Sequence, residues 1–352
     1  MTNPLTYRSA DIYEDIRTKI CDSTYAYGSS LPPERVLSVQ YGVQRPTLRR
    51  ALRRLAEEAY IETKQGAGSR VIFLQQPGSE QPADKGFIVY AIPLALGRSP
   101  HPYQMEICSH LEEVSKADGL SLVFAKVAPN ESLPAFLRNS NMAKGIVWVT
   151  ALDDKALDTA RALGIPSITV SSAYPHFPAI RFPDFDCGYM ATQHLLQAGS
   201  RRIVHIAGPG DYVSSANRMD GYRLALLESG IELDDKLILQ GDWVFDTARR
   251  QMGELLQSGC RFDGVVAAND MMALGAMRAL LSAGLRIPDD VRVIGIDNIE
   301  QTRLSTPSLS SVAIDQQDVA RTAYMLLKGL MEKQAIPQEI CICAKLHKRD
   351  ST

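Results

Sequence analysis

From Gly86 to the end of the chain, short apolar runs alternate with amphipathic helical stretches, and this alternation restricts the fold more than any other feature of the sequence. GFIVYAIPL, LSLVFAKV, GIVWVT, PSITVSS, RRIVHIAG, FDGVVAAND and VRVIGIDN each have the length of a strand. Their near-continuous apolar character is that of strands buried on both faces, and such strands belong to parallel sheets covered by helices. Helical periodicity between them places helices over Met105–Ala117, Gly188–Ala198 and Met271–Ala283. The fold class is therefore α/β, with the runs divided between two parallel-sheet halves. In such sheets ligands bind beyond the carboxyl ends of the strands, which puts a binding cleft between the halves.

The first 74 residues follow a different pattern. Ile12, Ile16 and Ile20 recur at helical spacing. SSLPPERVLSVQYG then reads as a turn, a proline-started helix and a glycine stop. VQRPTLRRALRRLAEEAY starts a third helix with Pro46 in its first turn, where a missing N–H is tolerated. YIETKQGAGSRVIF supplies two short strands around a glycine-containing turn. Three helices and a hairpin in this order make a winged helix-turn-helix. A polar, Pro/Gly-rich linker at 75–85 cannot pack a core. It separates a DNA-binding domain at 1–74 from a body at 86–352. A length of 352 residues suits this division.

The third helix carries five arginines within Arg45–Arg54, and every charged residue between Val36 and Ala56 is an arginine. Residues 1–75 hold 11 basic and 8 acidic side chains, against 27 and 32 in the rest. A basic element on an acidic body marks a confined polyanion contact. With Arg45 at 0° and 100° per residue, Leu48, Ala51, Leu52, Leu55 and Ala59 cover an arc of about 240–340°. Arg45, Arg49 and Arg53 line its edge at about 0–80°, and Arg50 and Arg54 lie at about 140–180°. Arg45 and Arg49 are thus placed for base readout, Arg50 and Arg54 for phosphate or solvent, and Arg53 is undecided.

LPPERVLSVQYGVQRPTLRRALRRLAEEAYIETKQGAGSRV resembles the DNA-binding domain of the GntR family. The resemblance implies DNA contacts from Arg35, Arg45 and Arg49, phosphate contact at Thr47, and a wing tip at Gly66–Ser69. Within it, Gly66 and Gly68 would let the backbone approach the DNA, although each alone reads equally as a hairpin glycine. An arginine fork pairs bidentately with guanine in the major groove. The chain departs from the family at Gln44, where a serine or threonine is usual and glutamine caps poorly.

GSRRIVHIAGPGDYVSSANRMDGYRLALLESGI, DGVVAANDMMALGAMRALLSAGLRIPDDVRVIGIDN and TPSLSSVAID resemble the periplasmic-binding-protein-like effector domain of the LacI/GalR family. A GntR head on such a body is the combination of the arabinose-responsive repressor group. The resemblance assigns ligand contacts to Arg218, Trp243 in GDW, Asn269 in AAND and Asp297 in GIDN. In the first half it assigns them to Tyr103 in HPYQ and Ser171 after SITV. Sugars present apolar ring faces and rings of hydroxyls, so an aromatic platform beside planar polar groups suits them. Trp243 could also be a core aromatic, and Asp270 is expected to cap the following helix. At Asp184-Phe185, where the family often has Asp-Asn, a ligand contact is not expected.

No catalytic motif, metal-ligand spacing or cofactor loop is present. The six cysteines form no disulfide framework and read as buried reduced thiols. No apolar run is long enough to cross a membrane, and no signal peptide opens the chain. The expectation is a cytoplasmic, homodimeric regulator, not an enzyme. It would bind double-stranded operator DNA and be released, as a repressor, by a small carbohydrate. The alternatives are a DNA-binding regulator with a nucleobase or other corepressor, and a sugar receptor that binds no DNA.

Overall fold

A computed structural model describes residues 8–21, 24–25, 28–58, 60–64, 68–72, 86–94, 100–128, 142–150 and 154–352. The chain divides into two units, Met1–Gln81 and Pro82–Thr352. The linker at 75–85 lies outside the described residues.

In the first unit the isoleucine spacing forms α1 (Ser9–Cys21), with Ile12, Ile16 and Ile20 buried. Helix α2 (Glu34–Gln40) ends at a tight turn where Gly42 takes φ +61°, and α3 (Arg45–Glu57) follows. Leu48, Ala51, Leu52 and Leu55 are buried, as the helical wheel requires; Ala59 lies outside the described residues. Strands β1 (Ile61–Lys64) and β2 (Gly68–Val71) pair antiparallel with Ile61 opposite Val71. Ser30 adds a single antiparallel bridge to Arg70 on the outer side of the hairpin.

The second unit contains two six-stranded sheets. The first is built from β3 (Phe87–Pro93), β4 (Ser121–Val127), β5 (Ala143–Val149), β6 (Ser167–Val170) and β7 (Ala179–Arg181). The second takes β8 (Ile203–Ala207), β9 (Ile238–Gln240), β10 (Gly264–Ala267), β11 (Arg292–Ile296) and β12 (Ser310–Ala313). Two late strands, β13 (Glu339–Cys341) and β14 (Lys345–His347), complete one sheet each. The orders are β4-β3-β5-β6-β7-β13 and β9-β8-β10-β11-β12-β14. Every pair is parallel except β12 with β14.

Helices α4 (Pro102–Lys116) and α5 (Asp154–Ala162) belong to the first lobe. The second lobe holds α6 (Asp184–Gln197), α7 (Val213–Glu228), α8 (Phe245–Gln257), α9 (Asp270–Ser282) and α10 (Gln301–Leu304). Helix α11 (Gln316–Met331) returns to the first lobe, where Val319, Ala320, Ala323 and Leu327 join the core of Ile88, Tyr90 and Val147. The chain therefore passes between lobes three times, near 182–183, 314–315 and 342–344. Helices α4, α6 and α9 begin earlier than their apolar periodicity indicates. Pro102, Asp184 and Asp270 start them, and prolines and acidic residues favour a first turn without contributing to the apolar stripe.

The thiols differ from expectation. Cys108 and Cys187 are buried, but Cys341 and Cys343 are exposed, because β13 is an edge strand.

Helices α6 and α7 meet backbone to backbone. A Cβ on Gly188 would lie 2.0 Å from the Arg218 carbonyl oxygen, and one on Gly221 would lie 2.1 Å from that of Phe185. Gly253 in α8 has no such neighbour. Gly221→Ala is therefore expected to destabilise the body by about 1–3 kcal/mol through overpacking. Gly253→Ala should stabilise it by about 0.4–1 kcal/mol, by restricting the unfolded chain. Urea unfolding followed by circular dichroism would show the opposite signs.

Candidate functional site

The first site is the exposed face of α2 and α3. Gln44 precedes α3 in extended conformation and makes no side-chain cap, in keeping with its poor capping chemistry. Pro46 occupies the first turn, and the Thr47 N–H donates to the Gln44 carbonyl at 3.0 Å. Arg35, Arg45, Arg50 and Arg53 are exposed and carry no ion pair among the described residues. Arg49 is exposed but held: its Nε donates to Glu34 of α2 at 2.9 Å. Arg54 is exposed to solvent and at the same time ion-paired. It donates to Glu58 at 2.9 Å and lies 3.9 Å over the Tyr13 ring, so its charge is spent inside its own domain. Gly68 is exposed at φ +80°, with nothing close to its Cβ position, which leaves the wing backbone open to approach. Gly66 lies outside the described residues.

The second site is a cavity of about 610 Å³ between the lobes of the body. Tyr103, Ser171, Arg218, Trp243, Asn269 and Asp297 all line it, although they come from six separate segments of the chain. At its centre the buried Arg218 is pinned by carboxylates. Its Nε and Nη2 lie 2.9 Å from Asp184 Oδ1, and its Nη1 lies 3.5 Å from Asp297 Oδ1. Nη1 also donates to the Ala268 carbonyl at 2.5 Å. The guanidinium sits 5.8 Å from the centre of the Trp243 ring, and the nearby carboxylates raise its pKa against the cost of burial. Burial pushes Asp297 up to about 7, with Arg218 opposing and Asp184 reinforcing the shift.

Trp243 stands edge-on to Tyr212, with ring centres 6.0 Å apart. Gly208 makes room for it, since a Cβ there would lie 2.2 Å from the indole. The Asp242 carboxylate accepts from Val244 N–H and the Thr247 hydroxyl, both at 3.1 Å, which locks the turn before α8. Across the cavity the Tyr103 hydroxyl is buried without a hydrogen-bond partner among the described residues, and its ring meets Phe182 edge-on at 6.0 Å. Its pKa is raised well above the usual tyrosine value, first by burial and then by Asp297.

Asn269, rather than Asp270, is the side chain that caps α9: its Oδ1 accepts from Met272 N–H at 2.9 Å. Its Nδ2 donates to the Trp243 carbonyl at 3.2 Å and faces His101 Nε2 at 2.8 Å. That geometry requires a neutral His101, and burial followed by the Arg218 charge lowers its pKa to about 4. Asp270 is buried in the first turn and accepts from Ile299 N–H and the Ser311 hydroxyl, which fastens the loop after β11. It occupies this position because neighbouring strands leave backbone and hydroxyl donors unmet there, whereas Asn269 faces the helix end.

Three features of the cavity escaped the sequence. Asp184 lines it and pairs with Arg218, contrary to the expectation for that position. His101 lines it without any motif of its own. Thr150, Ser171, Trp243 and Asp297 line it at φ 72°, 61°, 68° and 117°. Left-handed backbone costs a non-glycine residue of order 1–3 kcal/mol and gathers at functional sites.

A winged helix-turn-helix on one chain with a two-lobed, parallel-sheet body that encloses a largely apolar cavity with a few convergent polar side chains defines the class. Residues 8–71 match the family described as bacterial regulatory proteins, gntR family, and residues 192–352 match the periplasmic binding protein-like domain. The head is thus similar to gntR-family domains, and the body from residue 192 onward is similar to periplasmic binding protein-like domains. It is similar to the HTH-type transcriptional regulator CelR of Thermobifida fusca, at 40% identity over 167 residues and 47% of each chain. It is also similar to the HTH-type transcriptional repressor PurR of Escherichia coli O1:K1 / APEC, at 35% identity over 168 residues, 47% of this chain and 49% of that one. The chain spans about half the length of these curated relatives. The solved transcriptional regulator CelR-cellobiose complex shares the fold, with a TM-score of 0.65 at 23% identity over 92% of this chain and all of that one.

The raised Asp297 makes a test of the site. Its folded pKa of about 7 exceeds the ordinary 3.8, so the folded state holds an extra proton between those values. The stability this confers is complete below about 4 and is lost as pH rises through about 7. His101 and His205, lowered to about 4 and about 3 by burial, act in the opposite direction below their ordinary 6.5. Wild type and Asp297→Asn share those histidines, so their difference reports Asp297 together with the buried Asp270, whose pKa is raised by burial and then by Asp297 and which shifts in the same sense. The variant should gain stability relative to wild type as pH rises from 4 to 8, as read by urea titrations at fixed ionic strength. A difference that stays constant across this range would contradict the assignment.

Proposed function

We propose that the protein is a transcriptional repressor whose hold on operator DNA is governed by a small, neutral carbohydrate in the body cavity. The observation that carries the effector reading is Arg218 between Asp184 and Asp297, beside the Trp243 ring. The two carboxylates offset the guanidinium charge, so the cluster offers little attraction to an anion. It offers instead oriented donors and acceptors for hydroxyl groups next to an aromatic face. The unpartnered Tyr103 hydroxyl provides one more polar contact on the opposite wall. The exposed arginines of α3, within a gntR-family head, support the DNA reading.

Arg45 and Arg49 act as base readers, Arg35 and Thr47 as further contacts, and Gly66 and Gly68 let the wing approach the duplex. Reading by Arg49 needs its ion pair with Glu34 to be exchanged for a base edge. Two copies, joined through their bodies, would place two heads on a pseudo-palindromic site. Effector and operator then oppose each other reciprocally, through a single coupling free energy.

Arg45→Ala with Arg49→Ala should weaken operator binding by roughly 30-fold or more, at about 1–3 kcal/mol per lost bidentate contact. The same loss should flatten the salt dependence if either arginine also neutralises phosphate. Unchanged affinity in gel shifts, with the fold intact, would reject the DNA reading. For the cavity, a thermal-shift screen should give stabilisation by neutral mono- or disaccharides and none by the matching uronic acids. Arg218→Met should abolish the shift. A preference for uronic acids would reject the neutral-ligand reading, and a sugar that tightens operator binding would reverse the sign of regulation.

A further inference from the structure

Cys341 and Cys343 are exposed and do not line the cavity, whereas Cys108 and Cys187 are buried. Strand β13 pairs parallel with β7, with Cys341 opposite Arg181. The Ile342 N–H still donates to the Arg181 carbonyl at 3.3 Å, so the pairing continues past Cys341. Ile340, Ile342 and Ala344 all pack against the first-lobe core. Side chains of extended backbone alternate between faces, so Cys341 and Cys343 project together from the opposite, solvent-facing side. The two thiols are close enough to feel one another. The Cys341 pKa is raised first by partial burial and next by the charge of Cys343.

The spacing decides which chemistry such a pair can perform. Residues two apart on extended backbone are separated by about 6.6 Å. A disulfide needs Cβ atoms within about 3.5–4.5 Å of each other, which would buckle the backbone and pull Ile342 away from the core. An ion held in line between two thiolates needs sulfurs roughly 4.6 Å apart, twice a metal–sulfur bond of about 2.3 Å. Rotation of the two side chains supplies that distance without moving the backbone. Zn(II) takes four ligands, and no group of three or more His, Cys, Asp or Glu side chains suited to a metal occurs among the described residues. Thiolates instead favour soft ions such as Cu(I). We propose that Cys341 and Cys343 form a two-coordinate binding site for a soft monovalent cation, Cu(I) being the type. Each thiol releases one proton, the ion gains two sulfur bonds, and no electrons are transferred. The two thiolates and the ion leave one negative charge, which the neighbouring Arg181 is placed to offset. The site depends on neither the carbohydrate reading nor the DNA reading.

The test is a competition for Cu(I) supplied as its bicinchoninate complex, whose colour reports the copper it retains. It uses the full chain in oxygen-free buffer with ascorbate as reductant. Wild type should withdraw one equivalent per chain. Cys341→Ser and Cys343→Ser should each lose that uptake, because a single exposed thiolate is a poor rival to a chelator. Cys260→Ser should keep it. The buried Cys108 and Cys187 thiols, pushed up to about 11 and about 12 by burial, should not contribute. X-ray absorption at the copper edge should show two sulfur neighbours and no nitrogen or oxygen. Wild type that takes no copper would overturn the site, as would uptake that survives in both serine variants. Half an equivalent per chain would also overturn it, since the ion would then bridge two copies. So would Zn(II) uptake that the same two substitutions abolish.

Discussion

The body of this protein is organised around one buried cation. Arg218 is removed from water, and a lone guanidinium there would cost several kcal/mol; Asp184 and Asp297 make its burial tolerable. Each partner brings a different part of the chain. Asp184 follows the first crossing between lobes and opens α6, Arg218 lies inside α7, and Asp297 stands where β11 ends. The ion cluster therefore fixes the geometry of a crossing segment, a helix and a strand end at one point. It depends in turn on the close approach of α6 and α7. Gly188 and Gly221 let the two backbones touch, and the Gly188 contact is with Arg218 itself. Side chains at those glycines would separate the helices and stretch the pair with Asp184.

The architecture was readable because burial on both faces leaves an apolar run whatever the details of the site. GIVWVT and FDGVVAAND became β5 and β10 for that reason. Isoleucine spacing and the apolar arc of α3 placed the head in the same way. Cavity-lining residues were legible only where a recognisable motif held them. His101 and Asp184 had none: they reach the cavity because α4 and α6 begin at its edge, and tertiary placement is invisible to periodicity. The exchange of roles between Asn269 and Asp270 has a similar cause. Both residue types cap helices well, and only the donors of Ile299 and Ser311 decide which one turns inward. The helical wheel shows the angle of Arg54 but not the neighbouring α1, whose Tyr13 ring lies 3.9 Å beneath its guanidinium.

Backbone strain at the cavity follows from the same arrangement. Thr150 and Ser171 follow the carboxyl ends of β5 and β6, Trp243 precedes α8, and Asp297 follows β11. All four turn through left-handed backbone, where glycine would be easier. A glycine would relieve the strain but would remove the hydroxyl, indole or carboxylate that the cavity uses. The surrounding sheets supply the stability that holds these conformations, and the strained turns aim the side chains from rigid strand ends.

The side chains of the site already satisfy one another as a nearly complete hydrogen-bonded network. Among the described residues, Arg218 has Asp184, Asp297 and the Ala268 carbonyl, Asn269 has three partners, and Asp242 accepts from Val244 N–H and the Thr247 hydroxyl. The Tyr103 hydroxyl is the exception. A ligand entering such a site gains little from each bond it replaces, because a protein–protein bond is lost in exchange. It loses heavily for each bond it fails to replace, because a buried polar group is then left unpaired. Selectivity in this cavity is therefore expected to come mainly from rejection of near-misses. On the proposed carbohydrate reading, a sugar with one hydroxyl inverted would leave a carboxylate or amide unmet, whereas a matching one would restore the network and could add a contact to Tyr103. Affinity beyond that balance would come from the apolar ring face on Trp243, which displaces water and breaks no existing bond.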